Sequence, residues 1–254
     1  MAPGLRIATF VNDEESYRAM RASFAAAGFM SPDIVYERLS DHAEDPYAAI
    51  TRLGNSAEPY VMLVHQDVRC DQEHGYRDLQ HAIAELERHD PRWAVAGNAG
   101  GLADRSVLRH ISDPWGTHWA AELPRRVVTL DENLLVLRTA RQPRCSSALS
   151  GFHLYGSDVC LNAACAGDRC YVIDFRVTHL SAGDWTGMYE AQDRLGQVWG
   201  RRLLWPRYVR APATVITLAT PAMLRHVLSR LYMAALPIAA WLRRAPAAGP
   251  PQQP

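Results

Sequence analysis

Residues 60–67 read YVMLVHQD, so five apolar side chains run directly into a histidine, an amide and a carboxylate. An apolar run without alternation is typical of a strand buried on both faces of a sheet. Helices cover such a sheet on both sides, and ligands bind beyond the carboxyl ends of its strands. The stretch therefore predicts an α/β fold with His65, Gln66 and Asp67 at a ligand-binding edge.

Strands and helices alternate on either side of this stretch. Leu5–Val11 predicts a strand and Glu14–Ala27 an amphipathic helix that ends at Gly28. This alternation indicates a three-layer sandwich with a mainly parallel central sheet. Further strands are predicted at Asp33–Glu37, Tyr60–Val64, Trp93–Ala96, Arg126–Leu130, Asn133–Leu137 and Cys170–Phe175, and further helices at Ala48–Leu53, His74–His89, Asp158–Ala166 and Trp185–Leu204.

The charged residues are unevenly distributed. All 27 basic residues are arginine, which excludes mechanisms that need a lysine, such as a Walker-type phosphate loop or a Schiff base. Residues 1–90 hold 16 acids and 8 arginines, whereas residues 199–254 hold 8 arginines and no acid. The polar residues after the predicted strands are mostly acids and amides. A pocket of that kind binds phosphates through a divalent cation or through arginine.

A second histidine, His179, closes another apolar segment, and His65 and Asp67 lie on the same face of an extended chain. This pattern favours a metal or catalytic site over an isolated carboxylate. The alternative is that Asp67 only caps the turn after its strand.

Several motifs follow one another in a consistent order. They are Thr9–Tyr17, Tyr36–Asp41, His65–Asp67, Phe152–Leu161, Gly167–Ile173, His179 and Trp199. In this order they resemble the family-2-like glycosyltransferases of the GT-A fold, near the streptomycin-biosynthesis-type subgroup. The resemblance covers residues 5–202 and implies a GT-A-like sandwich followed by a C-terminal helical tail.

The resemblance implies an inverting enzyme that moves a sugar from a nucleotide-diphosphate sugar to a hydroxyl of a glycan or lipid-linked acceptor. Asp67, with His179 and His65, would hold Mn²⁺ or Mg²⁺ against the leaving diphosphate. Asp158 would be the general base, although an aspartate at a helix start is also explained by N-capping. The residues expected to bind the nucleotide sugar are Phe10, Asn12, Glu37, Gln66 and Asp131.

Two positions depart from the family pattern. His65 stands in place of the first aspartate of the metal motif, and Ser157 stands where many relatives carry a second acid. These departures leave an alternative open, a non-catalytic nucleotide-sugar-binding or scaffold protein with the same fold. A dinucleotide dehydrogenase is disfavoured because Gly97–Gly101 lacks the G-x-G-x-x-G spacing.

The C-terminal part is predicted to be distinct from a catalytic domain at residues 1–203. Residues 204–244 would form a basic amphipathic extension, and residues 245–254 a disordered tail. Ala222–Trp241 carries an apolar stripe that includes Leu224, Leu228 and Leu231 opposite a polar face. Residues 222–244 could therefore lie on a membrane surface beside a lipid-linked acceptor, or pack on the catalytic domain or in a homodimer.

Neither a signal peptide nor an apolar stretch long enough to span a membrane is evident. The five cysteines form no C-x-x-C pair and are expected to be reduced. We therefore expect a cytoplasmic protein, peripheral on the inner face of the membrane if its tail binds lipid. Basic and aromatic residues do not interleave in a nucleic-acid-binding pattern, so no nucleic-acid partner is expected.

Overall fold

The structure is a computed structural model that describes residues 4–40, 44–71, 73–203 and 207–244. The strands are, in chain order, β1 (Leu5–Val11), β2 (Ile34–Ser40), β3 (Tyr60–Val64), β4 (Val68–Cys70), β5 (Trp93–Gly97), β6 (Ala99–Gly101), β7 (Val107–Arg109), β8 (Ile111–Asp113), β9 (Gly116–His118), β10 (Arg125–Val127), β11 (Thr129–Leu130), β12 (Leu134–Arg138), β13 (Arg169–Val172), β14 (Val177–His179), β15 (Arg207–Arg210) and β16 (Val215–Leu218). The α-helices are α1 (Glu14–Ala26), α2 (Pro46–Leu53), α3 (Tyr76–His89), α4 (Tyr155–Cys165), α5 (Met188–Gly200) and α6 (Ala222–Arg244), and Thr139–Arg141 form a 3₁₀ turn.

The central sheet has the strand order β10-β13-β5-β12-β3-β1-β2. β1 is parallel to β2 and β3, and β13 is parallel to β5, but β12 runs antiparallel between β3 and β5 and β10 is antiparallel to β13. The predicted α/β class is confirmed, whereas the prediction of a mainly parallel sheet is wrong because the sheet is mixed. The reason is local: Leu134–Leu137 are all apolar, and a strand buried on both faces has the same pattern in either direction.

Helices cover both faces of this sheet, so β3 contributes to two cores. Val61 and Leu63 pack in the core that contains residues of α2, α4 and α5. Tyr60, Met62 and Val64 pack on the opposite face with residues of α1 and α3. The uninterrupted apolar run of β3 thus reflects burial on both faces, as its sequence predicts.

Helix α1 begins where β1 ends because Asp13 caps it. The Asp13 carboxylate accepts hydrogen bonds from the backbone N–H groups of Glu15 and Ser16 at 3.3 and 3.0 Å. An aspartate that satisfies these free amides stabilises a helix by about 1 kcal/mol. The short β1–α1 junction holds Asn12 at the carboxyl edge of the sheet.

Three small sheets, which the sequence did not predict, lie beyond this edge. β11, β6 and β7 form one, β4, β14, β8 and β9 form the second, and the hairpin β15–β16 is the third. Their strands are two to four residues long, too short for a periodic pattern to show. They build much of the cavity described below.

Helix α6 packs on the β15–β16 hairpin, but the leucines of its predicted apolar stripe do not form the buried contact. Arg225, placed on the polar face by its sequence pattern, is 2% exposed and donates from Nη1 to the carbonyl of Ala219 at 2.6 Å. Leu224 and Leu231, on the predicted apolar stripe, are 44% and 62% exposed. Ser229, on the same side, bonds the Thr217 hydroxyl, whereas Nε and Nη2 of the buried Arg225 have no hydrogen-bond partner among the described residues.

The predicted division of the chain at residue 203 does not separate the tail from the cavity. Arg210, Pro212 and Ala213 of the β15–β16 hairpin line the cavity together with Phe10 of β1 and His65, which follows β3. No described helix has the length and apolar character needed to cross a membrane. The predicted disordered tail, residues 245–254, lies outside the described residues. The five cysteines are free thiols, four of them buried.

Candidate active site

The carboxyl ends of β1 and β3 are joined by one side chain. Gln66 Oε1 accepts hydrogen bonds from the backbone N–H groups of Asn12 and Asp13, both at 3.1 Å, and Gln66 Nε2 donates to Asn12 Oδ1. Asn12 and Gln66 both line a cavity of about 1050 Å³ at this edge of the sheet. Two of the predicted donor-binding residues therefore form one rigid unit.

His65, Asp67 and His179 converge in the same cavity. Their ligand atoms lie within 4.8 Å of one another, and His179 Nε2 is 3.3 Å from Asp67 Oδ2. His179 reaches this place because β14 pairs antiparallel with β4, in a register that sets His179 opposite Val68. The structure thus brings together the three residues predicted to hold a metal.

The charges in this cluster are distributed unequally. Burial lowers the pKa of His65, and the charge of His179 adds to this effect, so His65 is neutral at pH 7. Burial alone would raise the pKa of Asp67, but its hydrogen bond to His179 and the nearby imidazoles hold it well below its usual range. Burial by itself would lower the pKa of His179. The hydrogen bond to Asp67 and the charge of that carboxylate outweigh the effect of burial, so the pKa of His179 is raised. The cluster offers an ionised carboxylate and a neutral imidazole, with a second imidazole that must lose a proton to bind a cation.

A buried tyrosine orients the ring of His65. The Tyr155 hydroxyl lies 2.8 Å from His65 Nε2, and Tyr155 is 1% exposed. A hydrogen bond that fixes an imidazole is the usual support of a metal-binding histidine. Sequence reasoning did not single out Tyr155, because one tyrosine at a helix start carries no signal of a partner far away in the chain.

Acidic, aromatic and basic side chains complete the cavity wall. Asp131 accepts from the Asn133 side chain, and Phe10 packs edge to face on Phe152 with ring centroids 5.3 Å apart. Other lining residues that the sequence did not point to are Glu132, Trp185, Arg109, Arg194 and Arg210. The unpredicted residues come mainly from the short strands and loops whose sequences carry no periodic pattern.

Asp158, the predicted base, lies outside this cavity. It is fully buried, and its carboxylate accepts from Ser146 N at 2.6 Å, Ser146 Oγ at 2.9 Å, Trp199 Nε1 at 2.7 Å and Asn162 Nδ2 at 3.1 Å. Burial raises the pKa of Asp158, and these donors counteract part of that rise. Because its carboxylate oxygens are hydrogen-bonded to buried groups and do not reach the cavity, Asp158 cannot contact the hydroxyl of an acceptor bound there.

Glu37, predicted to bind the donor, is also outside the cavity. Its carboxylate pairs with Arg6 Nη1 at 2.6 Å and with Arg52 Nη2 at 2.7 Å. These pairs tie β2 to β1 and α2. The sequence predicted that the second strand ends at Glu37, but β2 continues to Ser40, so Glu37 lies within the strand, where two arginines pair with it.

Glu132 is the carboxyl group of the cavity lining that lies beside the start of α4, the helix that carries Asp158. Its Oε1 accepts from the backbone N–H of Gly156 at 3.1 Å. Burial and the neighbouring charge of Asp131 raise the pKa of Glu132 well above its usual value. A carboxyl group with a raised pKa is a stronger base once it is ionised.

Comparison with known proteins places the chain in a family. No family model matches the sequence. A protein of Fuscovulum blasticum named "ATP synthase subunits region ORF 6" is 35% identical over an alignment of 185 residues, and the match covers 68% of this chain and 74% of that protein. The fold and the cavity define an α/β protein with a candidate ligand site at the carboxyl ends of its strands. The chain belongs to the family of that Fuscovulum blasticum protein, whose name gives no activity.

A solved structure described as "Crystal Structure of A197 from STIV" is 13% identical in sequence. The match covers 86% of this chain and 95% of that one, with a TM-score of 0.41. At this TM-score the likeness does not establish a shared fold.

Proposed function

We propose that the protein is a metal-dependent inverting glycosyltransferase of the GT-A type. It would transfer a sugar from a nucleotide-diphosphate sugar to a hydroxyl of a glycan or lipid-linked acceptor. The observation that carries the proposal is the convergence of His65, Asp67 and His179 beside the Asn12–Gln66 unit in one large cavity. The resemblance of the sequence motifs to family-2-like glycosyltransferases supplies the reaction class.

The donor set of the cluster fits a divalent cation. Two imidazoles and one carboxylate suit Mn²⁺ better than Mg²⁺, which prefers oxygen ligands alone. Asp67, His65 and His179 would hold the ion, and Tyr155 fixes the ring of His65. The ion, when bound, supplies Lewis-acid neutralisation of the departing diphosphate.

The remaining residues bind and orient the donor. Asn12 and Gln66 present fixed amide groups beside the cluster, and Asp131 presents a carboxylate that suits sugar or ribose hydroxyls. Phe10, braced by Phe152, offers an apolar surface of the kind on which a base or sugar ring packs.

Glu132 is the group we assign as general base. It faces the cavity, whereas Asp158 does not, and the Gly156 amide holds its Oε1. In its ionised form it would accept the proton of the acceptor hydroxyl while that oxygen attacks the anomeric carbon. One base opposite the leaving group corresponds to single displacement with inversion.

The decisive experiment uses the full chain stripped of metal. Its melting temperature is measured with UDP-, GDP- and dTDP-sugars, with and without Mn²⁺, and nucleoside diphosphate release is followed with glycan and lipid acceptors. We expect stabilisation that requires Mn²⁺, followed by release of the nucleoside diphosphate. Absence of stabilisation by every nucleotide sugar would contradict the proposal.

The alternative is a nucleotide-sugar-binding protein without transferase activity. The replacement of the first motif aspartate by His65 and the burial of Asp158 are the observations that favour it. Stabilisation by one nucleotide sugar with no release of nucleoside diphosphate, in the presence of every acceptor, is the result that would support it.

We also propose that α6 contacts an anionic membrane surface on the inner face of the membrane. Leu224, Leu231 and Met233 are exposed along the helix, and residues 199–254 carry 8 arginines and no acid. The full chain should co-sediment with vesicles that contain anionic lipid. A Leu224→Ser/Leu231→Ser variant should remain in solution. Equal sedimentation of both proteins, or a concentration-dependent dimer that the variant abolishes, would contradict the membrane contact.

A further inference from the structure

Three arginines line the cavity from three separate elements. Arg109 ends β7, Arg210 ends β15, and Arg194 lies on α5. Arg109 and Arg210 also line an adjoining groove, so they stand where the two spaces meet. None of these elements contributes to the His65–Asp67–His179 cluster.

These three arginines differ from the arginines of the chain that are paired with acids. Arg6, Arg52 and Arg169 each contact a carboxylate at 3.0 Å or less. Within residues 4–40, 44–71, 73–203 and 207–244, no ion pair joins Arg109, Arg194 or Arg210 to a carboxylate. Two acids of the lining are engaged in their own loops, since Asp113 accepts from Trp115 N and Asp184 from Thr186 N, both at 2.8 Å. Asp67, Asp131 and Glu132 line the cavity as well, but among the described residues no carboxylate lies within ion-pair distance of these three guanidinium groups.

The backbone of Arg210 is fixed by close packing of β15 on β6, whereas its guanidinium is partly buried with one weak hydrogen-bond acceptor. Its carbonyl accepts from Thr129 Oγ1 at 2.5 Å, and a Cβ at position 101 would collide with that carbonyl, so Gly101 permits the close approach of β15 to β6. Its guanidinium is half-buried and donates from Nη1 to Met233 Sδ at 3.0 Å, which is a weak acceptor. Burial and the nearby charge of Arg109 both lower the pKa of Arg210.

Two neighbouring guanidinium groups with no carboxylate in contact repel each other, and a bound anion relieves that repulsion. Guanidinium groups bind phosphoryl oxygens through two parallel hydrogen bonds. Three guanidinium groups supply more positive charge and more hydrogen-bond donors than a carboxylate monoanion can use. A phosphoryl dianion, with three terminal oxygens, can use them. The donor diphosphate would be held at the metal cluster, which uses other elements, so a second anion is implied.

We propose that Arg109, Arg194 and Arg210 form a subsite for a phosphoryl group of the acceptor. This inference rests on the proposed transferase function for the identity of the acceptor, but the anion site itself can be tested without it. The shared chemistry, a phosphoryl group, could also come from the donor, and the experiment separates the two sources.

The test measures binding of inorganic phosphate to the full chain by calorimetry in EDTA. We expect phosphate to bind the wild type and to bind an Arg109→Gln/Arg210→Gln variant at least about tenfold more weakly. Arg207→Gln is the matched control, because Arg207 lies exposed on the same strand as Arg210, and it should bind as the wild type does. Acetate should bind much more weakly than phosphate.

A second arm adds UDP and GDP with Mn²⁺. Phosphate should bind equally well when the nucleotide is saturating, and the double variant should keep its nucleotide affinity. Displacement of phosphate by the nucleotide, or parallel loss of both affinities in the double variant, would assign the arginines to the donor and overturn the inference. No phosphate binding to the wild type, or equal binding of acetate, would overturn it as well.

The two proposals fail in different ways. If no nucleotide binds but phosphate still binds through Arg109 and Arg210, the transferase function is contradicted and the anion site stands. The melting temperature of the double variant should equal or exceed that of the wild type, since one half-buried like-charge pair is removed. A folded variant therefore keeps the binding result interpretable.

Discussion

His179 Nε2 lies 3.3 Å from Asp67 Oδ2, although His179 ends β14 and Asp67 directly precedes β4 in a distant part of the chain. The antiparallel pairing of β14 with β4 sets this distance, since it aligns His179 with Val68, the residue after Asp67. The contact joins two of the three candidate metal ligands and gives each a shifted pKa.

Removal of the Asp67 charge should abolish metal binding. In Asp67→Asn we expect the affinity for Mn²⁺, measured by calorimetry, to fall by more than about 100-fold, since groups that merely orient a ligand already contribute 10–100-fold. The carboxylate-to-amide control is Glu122→Gln, because Glu122 is 87% exposed in its side chain. Equal Mn²⁺ affinity in Asp67→Asn and the wild type would exclude this cluster as the metal site.

The same pair should make the stability of the metal-free protein depend on pH. The pKa of His179 is raised above 6.5 in the folded protein, so its contribution is complete below pH 6.5 and is lost as the pH rises through the folded value. The pKa of Asp67 is lowered below 3.8, so its contribution is present above pH 3.8 and is lost as the pH falls through the folded value. The difference in the free energy of unfolding between the wild type and Asp67→Asn, in EDTA, should be largest between these two pH values. A difference that grows from about pH 6.5 to 8.5 would contradict the assignment.

Replacement of Asp158 should lower the free energy of unfolding, because its carboxylate accepts several buried hydrogen bonds. Asp158→Asn places an amide where Trp199 Nε1 and Ser146 N both need an acceptor. We expect urea denaturation to show a loss of about 2–3 kcal/mol. Glu122→Gln should change stability by less than about 0.5 kcal/mol. An Asp158→Asn protein that is as stable as the wild type but inactive would instead make Asp158 the base.

Glu132 should control the chemical step. Glu132→Gln keeps an oxygen that can accept from the Gly156 amide but removes the base, so kcat should fall by about 10²–10⁴-fold. The melting temperature and the KM for the donor should stay close to those of the wild type. Unchanged kcat in this variant would mean that the proton leaves by another route.

Glu37 should matter to the fold and not to the donor. Glu37→Gln breaks the pairs with Arg6 and Arg52, which are partly exposed, so the loss of stability should stay below about 1 kcal/mol. Nucleotide affinity with Mn²⁺ should not change. A clear loss of that affinity, measured by calorimetry, would return Glu37 to the donor site.

The elements that follow from local chemistry were predictable. β1 and β3 have the predicted bounds, and α1 begins one residue after its Asp13 cap, because apolar runs and capping side chains act within a few residues. His65 and Asp67 were predicted to lie together on one face of an extended chain, but β3 ends at Val64 and residues 66–67 form a turn in which Val68 N donates to the His65 carbonyl at 3.2 Å, so the turn brings them together.

Local sequence patterns did not predict whether a side chain at the end of a helix or strand points into the core or into the cavity. Asp158 and Glu132 are both acids near the start of α4 in space, yet one points into the core and the other into the cavity. Leu154 takes a left-handed conformation, with φ of 66°, just before this helix, and no residue in its sequence signals that turn. Which acid reaches the cavity therefore depends on how α4 enters and packs.

The amino-acid sequence by itself determined the α/β class, the buried β3 strand and the polar cluster at its end, because burial, periodicity and capping are local effects. Only the tertiary structure decided the antiparallel insertion of β12, the exposure of Leu224 and Leu231 on α6, and the placement of Arg109 and Arg210 in the wall of one cavity. Those features depend on strand register and packing between segments distant in sequence, whose energies no local pattern encodes.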